Sequence, residues 1–132
     1  MTTQSFSFDI GAEQVFGYSQ AVKVGDTIYV AGQLSYDEDG TFLHAGDFEA
    51  QAKQSFANLD KVLANFGATR RQIVQDTVFV VNLSQYVDAL AAAHVGYFGD
   101  HRPATTGLSV GGLVFPGQLF EINVVVDLRA DA

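Results

Sequence analysis

The segment HRPATTGLSVGGLVFPGQLFEINVVVDL, residues 101–128, decides how the rest of the chain is read. It contains two β-rich runs separated by Gly111, Gly112, Pro116 and Gly117, residues that interrupt regular structure and permit turns. In the second run, Leu119 to Leu128, side chains alternate with period two. Phe120, Ile122, Val124, Val126 and Leu128 therefore share one face, and Glu121, Asn123, Val125 and Asp127 the other. A strand that is apolar on one side and mixed on the other belongs to a sheet covered on a single face. Glu121 stands out as a carboxylate set among apolar neighbours. Read alone it fits a solvated sheet face better than a reactive one, because acting carboxylates are a minority of all carboxylates.

Working outward, the chain before this segment alternates strand and helix signals. Ile73 to Leu83 is nearly continuously apolar and β-branched, which predicts a central strand. Ser84 is the expected cap of a helix running to about Phe98 and stopped by Gly99, with Val87, Leu90, Ala91, His94 and Phe98 on its inward stripe. His94 there fits a buried acid or base, although a hydrogen-bonded core histidine is the commoner occupant of such a stripe. Asp100 and Arg102 are expected to pair with each other or with the helix end. Further upstream, Asp47 and Gly67 bracket a helix whose Phe48, Ala52, Phe56, Leu59, Leu63 and Phe66 recur at helical spacing. The loop from Tyr36 to Gly46 carries Asp37, Glu38 and Asp39, but not the ordered ligand ladder of a calcium loop, and His44 in it reads as a surface residue. Tyr18 to Val24 and Thr27 to Gln33 flank Gly25-Asp26, a two-residue hairpin signal. Gly32 marks either a bulge or the close approach of another group to the backbone. Residues before Gly17 are mixed, with at most one short strand around Phe6 to Phe8.

The resulting order is β-β-α-β-α-β-β: an α+β fold in which two helices cover one face of a mixed sheet. The uncovered face carries Glu121, Asn123, Val125 and Asp127, together with either Thr105, Gly107 and Ser109 or their neighbours. Such a half-apolar face suits a subunit interface and any pocket.

Composition bounds the rest. The 132 residues make one domain, 48% of them hydrophobic, and no apolar run approaches the roughly 20 residues of a membrane span. The start of the chain carries no secretory pattern, and there is no cysteine, so disulfides, thiolate nucleophiles and cysteine-ligated metals are excluded. A cytoplasmic location is expected. Fifteen acidic against seven basic side chains give a net charge of −8. Apart from Arg70-Arg71 the basic residues are dispersed, which disfavours a nucleic-acid partner.

YSQAVKVGDTIYVAGQL, QAKQSFANLDKVLANFGA, DTVFVVNL, HRPA and FEI follow one another as they do in a known family. From about Phe16 to Asp127 the chain resembles the Rid (reactive intermediate deaminase) proteins, also called the endoribonuclease L-PSP family. The resemblance implies a chorismate-mutase-like fold and a homotrimer whose sheets form a central barrel. It also implies small-molecule pockets in the clefts between subunits and hydrolysis of imines and enamines without a cofactor. Residue by residue, Tyr18 matches the aromatic group bordering the pocket and Gly32 a backbone position beside the ligand. Glu121 matches the carboxylate that holds or activates water, and the family context turns its reading from solvated to functional. Thr105 stands where an arginine usually grips the substrate carboxylate, and losing such a fork from a buried site costs about 2–5 kcal/mol of binding. Thr105, Thr106 and Ser109 would then offer hydroxyls, and Gly107 occupies the place of a small side chain. Ala91 and His94 replace a common Asn and Tyr, while Arg102 matches an arginine outside the pocket. The expected activity is imine or enamine hydrolysis with altered specificity; a ligand-binding trimer without catalysis is the alternative, and RNA cleavage a more distant one.

Overall fold

The computed structural model describes residues 2–132 and contains one six-stranded sheet. In chain order the elements are β1 (Thr3–Phe6), α1 (Gly11–Phe16), β2 (Ala21–Val24), β3 (Thr27–Gln33), α2 (Phe48–Asn65), β4 (Ile73–Val81), α3 (Leu83–Phe98), β5 (Ala104–Val110) and β6 (Phe120–Asp127). Across the sheet the order is β1-β2-β3-β6-β4-β5. The crossover through α3 makes β4 and β5 parallel, whereas the remaining pairs are antiparallel.

The last strand organises the core as its alternation predicts. Phe120, Ile122 and Val126 are fully buried against the helices, with Val124 nearly so. Phe120 meets Phe48 and Phe56 of α2, each ring pair 5.7 Å apart. Truncating Phe120 or Phe56 removes the wedge between sheet and helix, a loss of about 3–5 kcal/mol. Asp47 accepts a hydrogen bond from Ala50 N and so caps α2, and Gly67 takes the positive φ of 65° that ends it. Gly25, at φ 58°, makes the tight turn between β2 and β3.

Three local expectations are corrected. The first strand lies at Thr3–Phe6, not around Phe6 to Phe8, and is held by pairing with β2, because its exposed polar residues carry no alternation to read. The six-residue helix α1 was not expected, since it is too short to show a period. Finally, α3 begins at Leu83 from Asn82, whose left-handed φ of 57° an asparagine tolerates, so Ser84 lies inside the helix and is not its cap. The helix is also rotated from the predicted stripe. Leu83, Tyr86, Leu90, Ala93, Tyr97 and Phe98 pack on the core, while Val87, Ala91 and Val95 form an exposed row at spacing four. Apolar residues almost all round α3 allowed two readings of its face.

The face away from the helices is uncovered. Tyr29, Thr106 and Leu108 are exposed on it. Thr105, Gly107 and Ser109 point the other way, as shown by bonds from Thr105 to Asp76 and from Leu83 N to Ser109. Arg102 donates to the carbonyls of Gly99 and His101 at the end of α3, while Asp100 pairs with Arg71 at 2.8 Å.

Candidate functional site

The pairing of β3 with β6 is irregular between Val30 and Gln33, and Gly32 lies within that irregularity. The Glu121 side chain crosses directly over it. A Cβ at residue 32 would stand 2.6 Å from Glu121 Cδ and 2.9 Å from its Cγ, and would collide with Oε2 as well. Glycine therefore leaves the room that Glu121 occupies, and Gly32 meets both sequence readings at once, lying in a strand irregularity and beneath a close approach.

Above this contact is a cavity of about 270 Å³. Tyr18, Tyr36, Leu34, Phe115 and Phe16 form its walls, with the Gly32 backbone and the Glu121 carboxyl in its lining. The volume suits a ligand of a few heavy atoms, and the lining is apolar with a few convergent polar groups. Among the described residues, no lysine, arginine or histidine lines it.

Burial pushes the Glu121 carboxyl up from the ordinary glutamate value, opposed by a hydrogen bond from Gln118 Nε2 to Oε1 at 3.2 Å. Burial likewise raises the Tyr18 phenol; a hydrogen bond with Gln20 opposes the shift, and the charges of Glu13 and Glu121 add to it. Tyr36 is pushed well above the usual phenol range, again mainly by burial, and donates to Gln20 Oε1 at 3.2 Å. The site thus combines a carboxyl able to exchange a proton closer to neutrality with phenols that stay protonated.

A buried polar layer holds the floor. Glu13 accepts from Phe8 N at 2.7 Å, Ile10 N at 3.1 Å and Gln20 Nε2 at 2.8 Å, which ties α1 to the residue just before β2. Gln33 Nε2 reaches Gln20 Oε1 at 2.8 Å and links β3 to the same network.

Of the residues singled out in the sequence, Tyr18, Gly32 and Glu121 come together, whereas Thr105, Thr106 and Gly107 lie on β5 and do not line this cavity within one chain. Thr105 donates its hydroxyl proton to Asp76, with His94 Nε2 3.3 Å away. Thr106 faces the open side of the sheet. At Gly107 a Cβ would stand 3.6 Å from Val78 and 4.0 Å from Leu83, ordinary contact, so packing does not demand glycine there. His94 is neither free nor fully buried: its Nε2 lies 2.6 Å from Asp76 Oδ2. Sequence reading passed over Asp76, although a carboxylate inside an apolar strand is the same signal that drew attention to Glu121. Glu13 and Gln118 gave no comparable signal.

A larger groove of about 580 Å³ runs between α2 and α3, but its Asp60 and Arg70 are tied to each other and to Tyr97.

Fold and cavity together define a chorismate-mutase-like α+β domain with a small, largely apolar cavity lined by one carboxyl. The chain belongs to the endoribonuclease L-PSP (Rid) family, whose model matches residues 12–128. It is 32% identical over 108 residues to the 3-aminoacrylate deaminase RutC of Acinetobacter baylyi, covering 82% of this chain and 84% of that protein. The human 2-iminobutanoate/2-iminopropanoate deaminase is 31% identical over 108 residues, covering 82% and 77% respectively. Among solved structures, RidA from the Antarctic bacterium Psychrobacter sp. superposes with a TM-score of 0.76 at 34% identity, over 83% of this chain and 87% of that one. Among the described residues, no helix is long and apolar enough to cross a membrane.

Proposed function

We propose that the protein hydrolyses the C=N bond of a small imine, in equilibrium with its enamine, and releases ammonia. The observation that carries this reading is the Glu121 carboxyl, held over Gly32 in a small apolar pocket and raised by burial. Glu121 orients a water molecule against the imine carbon and takes one of its protons. As the C–O bond forms, the C=N π electrons move to nitrogen, which takes that proton back from Glu121 and gives a neutral carbinolamine, leaving Glu121 as the carboxylate. Its hydroxyl proton then returns to Glu121, the C–N bond breaks, and nitrogen leaves as ammonia with the proton Glu121 supplies. The products are a carbonyl compound and ammonia, and no cofactor enters the balance. Tyr18 borders the substrate, and its phenol serves as a hydrogen-bond donor.

The site is completed by assembly. Val15, Phe16 and Val114 are strongly exposed beside the pocket, while Val87 and Val95 are exposed on α3 near the opposite edge of the sheet. Two different apolar patches of this kind suit a head-to-tail contact, and a closed ring of three copies buries both. The uncovered sheet faces then turn inward as a barrel. In that arrangement the β5 edge, with Thr105, Thr106 and Gly107, approaches the Glu121 pocket of the next copy.

A binding-only trimer has one observation in its favour, the lack of a cation in the pocket wall. RNA cleavage has less, because a chain of charge −8 has no basic stripe to neutralise phosphates. The test is ammonia release from a panel of imines generated in situ, by wild type and by Glu121→Gln. Release by wild type alone is expected. Equal release by both removes Glu121 from the reaction, and ligand-induced thermal stabilisation without any release establishes the binding-only form.

A further inference from the structure

Asp76, on β4, has a fully buried side chain whose two oxygens are both engaged. Oδ1 accepts a hydrogen bond from the Thr105 hydroxyl, and Oδ2 lies 2.6 Å from His94 Nε2. A buried carboxylate needs such partners, and to meet it Nε2 must carry hydrogen. That bond fixes the ring orientation and turns Nδ1 away. Nδ1 has no hydrogen-bond partner among the described residues, and the His94 side chain keeps 20% of its exposure. In its protonated form the ring therefore presents an Nδ1–H outward from the α3–β5 edge.

The other basic groups near this edge are already committed. Arg71 pairs with Asp100, Arg102 donates to the Gly99 and His101 carbonyls, and His101 Nε2 lies 2.7 Å from the Ile73 carbonyl. Arg70 is bound to Asp60 and Arg129 to Asp127. The lysines are on β2 and α2. Meanwhile the pocket wall offers an anionic substrate Glu121 and no positive group. A substrate carboxylate placed there is repelled unless a donor enters from outside.

We propose that His94 is that donor: the neighbouring subunit brings its imidazole, held by Asp76 and Thr105, to the anionic end of a substrate lying on Glu121. This rests on the imine-hydrolysis reading and narrows it to imines carrying a carboxylate next to the C=N group. Thr105 and Asp76 are positioning residues for the ring, and Thr105 does not itself hold the substrate.

The discriminating variant is His94→Gln, whose amide still donates to Asp76 and so spares the buried carboxylate. With 2-iminopropanoate as substrate, KM rises at least tenfold and kcat changes less than threefold. Binding of pyruvate, measured by calorimetry beside its neutral isostere pyruvamide, loses its preference over the amide. Thr105→Val shifts KM in the same direction, and Thr105→Ser restores it. Because the two groups come from different chains, randomly mixed trimers of Glu121→Gln and His94→Gln subunits regain about a quarter of the intact sites, and so that share of the wild-type rate at substrate well below KM.

Unchanged KM and an unchanged pyruvate preference in His94→Gln, with Glu121→Gln inactive, overturn the role of His94 and leave the Glu121 reading standing. A fall in kcat alone assigns His94 to proton transfer and overturns the anchor. Mixed trimers that regain nothing overturn its delivery across the seam. If wild type hydrolyses no imine, the underlying reading fails and this inference falls with it.

Discussion

Gly32 and Glu121 constrain each other, and their contact yields the sharpest predictions at the scale of single residues. In Gly32→Ala the new Cβ occupies the space of the carboxyl, so Glu121 must swing away from the pocket. We expect kcat/KM to fall by about 10²-fold, the usual cost of displacing a reacting group by about 1 Å, with the far-ultraviolet circular dichroism unchanged. Glu121→Gln has a stability signature of its own. The folded carboxyl titrates above the ordinary value of 4.5, so between the two values the folded chain holds a proton that the unfolded chain has lost. Stability then falls as pH rises through the folded value, and the amide escapes that loss. Glu121→Gln should melt above wild type at pH 7–8, and the gap should close as pH falls toward 4. A constant gap at all pH values contradicts the shifted carboxyl. The carboxylate was legible in the alternation of β6; its contact with Gly32 was not, because it joins residues 32 and 121 across an irregular strand pair.

At the scale of elements, the connection between β5 and β6 tunes the site through Gln118. This buried amide donates to Glu121 Oε1 and to the Phe120 carbonyl, and its own oxygen accepts from Phe115 N. Because its bond to Glu121 opposes the effect of burial, Gln118→Leu should push the carboxyl further up and move the acid limb of the pH–rate profile to higher pH. A limb that stays in place, or moves down, shows that Gln118 does not act on Glu121. The short helix α1 depends on Glu13 in a similar way. Glu13→Ala strips three donors of one acceptor and should cost about 3 kcal/mol in denaturant unfolding. The larger elements were readable because their apolar residues repeat over many turns or pleats. α1 and the Asp76–His94–Thr105 cluster were not, since one spans six residues and the other joins three elements through single bonds. Thr105 illustrates the limit. The family resemblance implies an arginine at its place, and only the fold shows its hydroxyl turned toward a buried aspartate.

For the whole molecule, the proposed ring accounts for apolar surface that a single chain leaves in water. Phe16 and Val114 at the pocket rim are 65% and 59% exposed, and Val87 and Val95 on α3 are 52% and 53%. Sequence predicted an unpartnered sheet face, but it also assigned Val87 to the core, so the second half of the contact emerged only once α3 was placed. Val87→Asp and Val114→Asp should each yield monomers by light scattering, with secondary structure retained and imine hydrolysis lost. Trimers with unchanged activity in both variants would show that these patches serve another purpose. The measurement closest to the centre of the account is kcat/KM for ammonia release from 2-iminopropanoate, followed from pH 4 to 8 in wild type and Glu121→Gln. The account predicts a wild-type rate that rises with pH through a step above the ordinary glutamate value, and a Glu121→Gln rate about 10²–10⁴-fold lower with no such step. Equal rates, or the same step in both proteins, contradict it.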